Sequence, residues 1–250
     1  MQRGRGLLIA RHLKALALIG HEPGTAEHAK RELNDFDRKH LGRVKVPASV
    51  REWYETPGAV EILREYSNED KPLSVPELRL SRWIRAEDPS IPLDVLEFLW
   101  ENQGVCVWAV ALTGEDDPPV VVRWNEEGDL RARRCADTFS TFVFTRLWDF
   151  QPWVEEWVRF QAQEKPVSEI DLGYLRSMFR EGPTTYTAAC FSGITHRFEA
   201  PEGRIVVGNY GSEGTTESAD WYVYATSLDD IRKLERKLQR CEAPPSLYET

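Results

Sequence analysis

The chain has 250 residues, and its 41% hydrophobic and 29% charged composition is that of a folded globular protein, which excludes an extended disordered chain. Its net charge of -9 is unevenly spread: residues 1–45 carry ten Lys/Arg against five Asp/Glu, whereas the remainder carries 22 against 36. A body with that excess of carboxylates repels phosphate backbones, which argues against a nucleic-acid partner; read from charge alone it serves solubility first and attraction of a basic partner second.

In chain order, residues 7–20 are apolar but broken by Arg11, His12 and Lys14, so an amphipathic helix is expected rather than a secretion signal. Residues 25–40 are polar with Ala26, Ala29, Leu33 and Phe36 as a thin helical stripe. Together these define an N-terminal helical extension over residues 1–44. A main domain over 45–241 and a frayed tail over 242–250 follow. Within the domain, residues 46–55 form a helix with Pro47 in its first turn and Val50, Trp53 and Tyr54 on one face. A second helix covers 59–66, and the polar stretch 67–76 reads as loop.

Pro92 is expected to open a helix whose stripe is Leu93, Leu96, Leu99 and Trp100, with Asp94, Glu97 and Glu101 on a solvated side and Gly104 ending it. The run from Val105 to Val110 is apolar at every position, which predicts a strand buried on both faces. Strands over 105–112, 120–124 and 130–135 read as an antiparallel meander. Asp137 is expected to cap a helix carrying Phe139, Phe142, Val143, Leu147 and Trp148. Residues 151–166 read as a polar connector and 170–179 as a short helix. Strands over 184–190, 196–199, 204–209 and 221–225 follow. The last helix starts at Ser227, with Leu228, Ile231, Leu234 and Leu238 inward. Strands clustered after helices give an α+β class.

Signals for chemistry are sparse. Gly208, Gly211 and Gly214 have the spacing G-x-x-G-x-x-G before a strand, which suits a hairpin loop and not a phosphate cradle. Ser192-Gly193 lacks the earlier glycine of a nucleophile elbow. His196, the one histidine after residue 40, reads as a surface residue on a strand edge. His12, His21, His28 and His40 lack metal-ligand spacing and fall in the peripheral extension. Cys106, Cys135, Cys190 and Cys241 form no C-x-x-C pair, so a reduced, cytoplasmic protein with no metal and no cofactor is expected. The turn Glu115-Asp116-Asp117-Pro118-Pro119 fits a stiff hairpin connection first, recognition of a basic partner second and catalysis last.

These pieces carry a resemblance. The helix V-P-A-S-V-R-E-W-Y (46–54) is followed by G-A-V-E-I-L-R-E-Y-S-N (58–68), then F-L-W-E-N-Q-G-V-C-V-W-A-V (98–110) and G-E-D-D-P-P-V (114–120). The helix starting D-T-F-S-T-F (137–142) closes the series. This order resembles the SUKH superfamily, which includes bacterial immunity proteins and a fungal regulator of cell-wall synthesis. The likeness covers residues 45–150 well and the strand at 219–224 more loosely. It implies a single α+β domain with a mainly antiparallel sheet and packed helices. It also implies a protein partner, in bacterial members a secreted toxin domain, and it carries no catalytic residue with it.

The sequence therefore predicts a non-enzymatic module that binds a basic, nuclease-like toxin, with no nucleic acid and no membrane as partner. Glu115, Asp116, Asp117, Glu97 and Glu101 are the candidate partner-binding carboxylates. The alternatives are a housekeeping scaffold of the same fold, and an enzyme with a cleft lined by Asp116, Asp117 and His196.

Overall fold

The computed structural model describes residues 11–40, 45–87, 89–125, 131–164, 167–188, 191–210, 218–242, 244–246 and 248–249. Four helices come first: α1 (Leu13–Leu18), α2 (Glu27–Lys39), α3 (Ala48–Glu55) and α4 (Ala59–Glu65). Leu16, Leu33 and Phe36 of the first two are buried in the same core as Val50, Trp53 and Leu63 of the next two. Residues 11–40 are thus part of the body and not a peripheral extension. His12 is buried with them, against Trp53 and Phe139.

Strands β1 (Lys71–Pro72), β2 (Arg79–Arg82), β3 (Arg85–Ala86), β4 (Asp94–Trp100), β5 (Cys106–Ala111), β6 (Val120–Trp124) and β7 (Arg131–Ala136) build the first sheet. Its order is β1-β4-β5-β6-β7-β3, with β2 also paired to β4; β3 and β7 are parallel and the other pairs antiparallel. The expectation for β5 holds. Cys106, Trp108 and Val110 face the helices, and Val107, Ala109 and Ala111 face a second cluster closed by Trp83 and Ile91.

Residues 94–100 are a strand, not part of the expected helix, and the reason is local. A register shift between Glu97 and Leu99 turns Leu96 and Leu99 to the helix-covered face, three residues apart. A bulge thereby imitates the helical period. Gly104 does take a left-handed φ of 78°, but in the tight turn between β4 and β5.

Helix α5 (Phe139–Val154) packs Phe139, Phe142, Val143 and Leu147 on the first sheet. Its N-cap is Thr138, whose hydroxyl accepts from the Thr141 amide, and not Asp137, which pairs with Arg134 and accepts from the Tyr186 hydroxyl. Arg146 of α5 reaches the buried Asp70 at 3.4 Å and lies over Trp108 at 4.6 Å. Burial raises the Asp70 carboxyl above its ordinary range even beside that guanidinium.

The expected connector over 151–166 is instead the end of α5 followed by a strand, β8 (Val158–Glu164). Helix α6 (Glu169–Met178) leads to β9 (Arg180–Glu181), β10 (Thr185–Ala188), β11 (Phe191–Ala200), β12 (Gly203–Tyr210) and β13 (Ser218–Ala225). Helix α7 (Leu228–Leu238) and β14 (Tyr248–Glu249) end the chain. The second sheet runs β10-β11-β12-β13-β8-β14, with β9 also on β11, and every pair is antiparallel. Antiparallel β12 and β13 agree with the hairpin reading of the Gly208 region, although Gly211 and Gly214 lie outside the described residues. The short β14 pairs the expected frayed tail to β8. In α7, Ile231, Leu234 and Leu238 are buried, but Leu228 is 40% exposed and does not face inward. Two mainly antiparallel sheets with packed helices make this an α+β chain, with a separate apolar core for each sheet.

Helix α5 joins the two sheets through polar contacts. Arg197 of β11 makes a bidentate pair with Asp149, at 2.7 and 2.6 Å. Pro152 has no amide hydrogen to give back to the Trp148 carbonyl, and that oxygen accepts from Arg204 Nη1 at 2.8 Å instead. Arg204 also donates to Gln151 and lies between the Trp148 and Trp157 rings. No helix of the described residues is long and apolar enough to cross a membrane.

Candidate functional site

The acidic turn between β5 and β6 is held from three directions. Gly114 takes φ 86°, a left-handed conformation open to glycine, and lets the chain reverse before Glu115. The Asp116 carbonyl accepts the Ser49 amide at 2.8 Å, fixing the turn to the start of α3. The Pro118 carbonyl accepts the Phe139 amide at 2.8 Å, fixing its other side to α5. Asp117 accepts both the amide and the hydroxyl of Ser140, so its charge sits at the N-terminus of α5, where the helix dipole favours it.

The three candidate carboxylates of the turn therefore have different roles. Asp117 is committed to Ser140 and is a structural residue. Asp116 is 78% exposed, with Arg11 Nη2 at 3.3 Å from one oxygen. Glu115 is exposed, its amide bonded to the Thr113 hydroxyl at 3.3 Å. Glu115 and Asp116 border a cavity of about 290 Å³ whose other wall is Lys45, Val46, Pro47 and Arg51.

Glu97 and Glu101 are a correction. They lie 6% and 8% exposed, on strand β4 and at its end, and not on a solvated helix face. Glu97 accepts the Trp83 indole N–H at 3.1 Å, and Glu101 accepts the Gln103 and Val105 amides inside the β4–β5 turn. Neither carboxylate is presented to a partner.

His196 is also corrected. It lies on β11, flanked by β9 and β10 on one side and β12 on the other, and it is buried. Its Nδ1 lies 3.9 Å from Glu181, and burial, reinforced by Arg176, holds its pKa below the usual histidine value. A larger cleft of about 790 Å³ separates α1 and the first turns of α5 from β9, with Lys14, Phe144, Trp148 and Glu181 on its walls. Of Asp116, Asp117 and His196, the first cavity is lined by Asp116 alone and the larger cleft by none of them.

His12 supports the site from beneath. Its Nε2 lies 2.9 Å from the Ser49 carbonyl, which selects the neutral tautomer with the proton on Nε2, while the unprotonated Nδ1 is buried without a donor. Burial lowers its pKa more than Glu52 and Asp117 raise it. A histidine with a depressed folded-state pKa stabilises fully above its unfolded value of about 6.5 and loses that contribution as pH falls below it. Urea midpoints should therefore fall between neutral pH and pH 5. His12→Gln, which keeps a donor for Ser49, should show a shallower fall, with His196 accounting for the remainder. An unchanged slope in His12→Gln would remove His12 as a source of acid sensitivity.

Arg11 and Ser140 complete the turn from 105 and 23 residues away, and no local signal marks them in the sequence. No known protein family, curated protein or solved structure matches the chain.

Proposed function

We propose that the chain is a SUKH-like immunity protein: a non-enzymatic binding module that neutralises a basic, nuclease-like toxin domain by masking it. The observation that carries this reading is the Glu115–Asp116 pair, exposed on a turn whose backbone is pinned to α3 and α5. A fixed pair of carboxylates costs little ordering on binding and attracts a cationic surface at long range. The acidic excess after residue 45 acts in the same direction. Action in the cytoplasm agrees with Cys135 and Cys241, which are buried and in no disulfide among the described residues; burial pushes the Cys135 thiol up to about 12.

The test is coexpression with the product of the adjacent gene, followed by association kinetics on the complex. Glu115→Lys with Asp116→Lys should slow association about tenfold at low salt and change dissociation less. Asp117 is left intact because its carboxylate holds α5. A neighbouring gene product that is neither toxic nor bound defeats the reading. Capture of a stable cellular complex in its place would favour the scaffold alternative. Unchanged kinetics in a real complex would move the interface away from the turn.

A further inference from the structure

The face of the first sheet turned away from the helices carries two arginines that lie over indole rings. Arg79 sits over Trp100 with its guanidinium carbon 4.3 Å from the ring centroid, and Arg123 lies over Trp83 at 5.0 Å. Register puts them together: Trp100, Val107 and Arg123 are successive cross-strand partners, so Trp100 and Arg123 flank Val107 on one face. Arg79 is the cross-strand partner of Glu97, which that same face buries under Trp83. Trp100 and Arg123 are then roughly 10 Å apart, two strand spacings.

Two features mark this group as prepared for an anion. Among the described residues no carboxylate lies within ion-pair distance of Arg79 or Arg123; Glu77, the acid nearest Arg79 in sequence, is bonded to Ser74, and Glu97 opposite it is bonded to Trp83, whereas Glu126, Glu127 and Asp129, which follow Arg123, lie outside the described residues. In addition, Trp100 Nε1 and Arg123 Nε are buried donors with no acceptor, while Arg123 Nη2 makes one long bond, 3.5 Å, to Asn125 Oδ1. A buried N–H left unpaired costs about 1–3 kcal/mol, and two on one patch call for a partner. Stacking holds a guanidinium plane against an indole and leaves its N–H edge free to point sideways.

We propose that Arg79, Trp100 and Arg123 form a docking site for a carboxylate carried by a peptide segment of a protein partner. The fork geometry of a guanidinium matches a planar carboxylate. A carboxylate carries less charge than a phosphate dianion and so meets less repulsion from the acidic body, and Ile84, the chain neighbour of Trp83, is 71% exposed. The site lies beyond the opposite end of the β5–β6 hairpin from the acidic turn, roughly 17 Å away along the strands. It stands independently of the immunity reading, because it selects an acidic segment where the turn selects a basic surface.

The Trp100 indole N–H gives a direct readout by two-dimensional ¹H–¹⁵N NMR, its resonance assigned with Trp100→Phe. The probes are acetyl-Glu-Ile-Glu-amide, the matched acetyl-Gln-Ile-Gln-amide, and inorganic phosphate, each at constant ionic strength. The acidic peptide should give a saturable downfield shift, and the glutamine peptide none. Arg79→Gln, an exposed edge position that leaves the core intact, should weaken binding several-fold, and Arg79→Gln with Arg123→Gln about tenfold or more. The proposal fails if the acidic peptide produces no saturable shift up to about 10 mM. It also fails if the glutamine peptide shifts the resonance equally, or if Arg79→Gln leaves the affinity unchanged. Tighter binding of phosphate than of the acidic peptide overturns the carboxylate assignment.

Discussion

Replacing Asp149 with alanine should destabilise the protein by about 3 kcal/mol, read as a lower urea midpoint at pH 7. Arg197 is 2% exposed, and Asp149 is the carboxylate that neutralises it through two short bonds. Removing one partner leaves a guanidinium charge in a medium that cannot solvate it, a loss of about 3–5 kcal/mol for buried pairs. The lower end applies here for two reasons. Asp149 is itself a quarter exposed, so water can reach the vacated space. Arg197 also keeps the Pro183 carbonyl, the Thr185 hydroxyl and the Thr195 carbonyl as acceptors. The double variant Asp149→Leu with Arg197→Met should recover most of the loss, because it removes both charges together. If Asp149→Ala costs less than about 1 kcal/mol, the pair is not what secures α5 to the second sheet.

The parts of this fold that the sequence reveals are those in which side-chain period and backbone geometry agree. Strand β6 was legible to the residue, because Val120, Val121 and Val122 form a short apolar run between turn residues. Helix α7 was legible from Ile231, Leu234 and Leu238, and its first residue misled because a leucine at the start of a helix can face solvent as Leu228 does. Strand β4 was hidden by its bulge. Strand β8 was hidden by composition: Val158, Phe160 and Ala162 turn inward, but Arg159, Gln161 and Gln163 between them read as a connector. That alternation was present and was outweighed by the neighbouring tryptophans and glutamates.

For the acidic turn, the sequence supplied the residues but not their separate roles. Nothing near position 117 announces that Ser140 will take that carboxylate, and nothing near 116 announces Ser49 or Arg11. The arginine–tryptophan group was missed altogether. Its members come from strands 21 and 23 residues apart in sequence, and cross-strand register alone places them side by side. Contacts made across a sheet depend on pairing partners that no local window contains.

Trp83→Ala should be the most damaging single change, because one indole closes the second face of the first sheet. The face beneath it is floored by Ala109, Ala111 and Ala132, small residues that leave room for a large ring. Truncating the fully buried Trp83 removes that filling, at about 3–5 kcal/mol for a large aromatic in a core. It also takes away the donor that Glu97 uses, leaving a carboxylate 6% exposed without its indole partner, a further 1–3 kcal/mol or so. Trp83→Phe isolates the second effect, since a benzyl ring fills most of the space and cannot donate. Trp83→Phe with Glu97→Leu should then approach the native protein, because neither unpaired group remains. Guanidinium denaturation should rank the alanine variant least stable, the phenylalanine variant intermediate and the double variant nearest to the unaltered chain. If the alanine and phenylalanine variants lose the same amount, the cost lies in the stranded Glu97 and not in packing. The two-sided burial of β5 would then rest on its other neighbours.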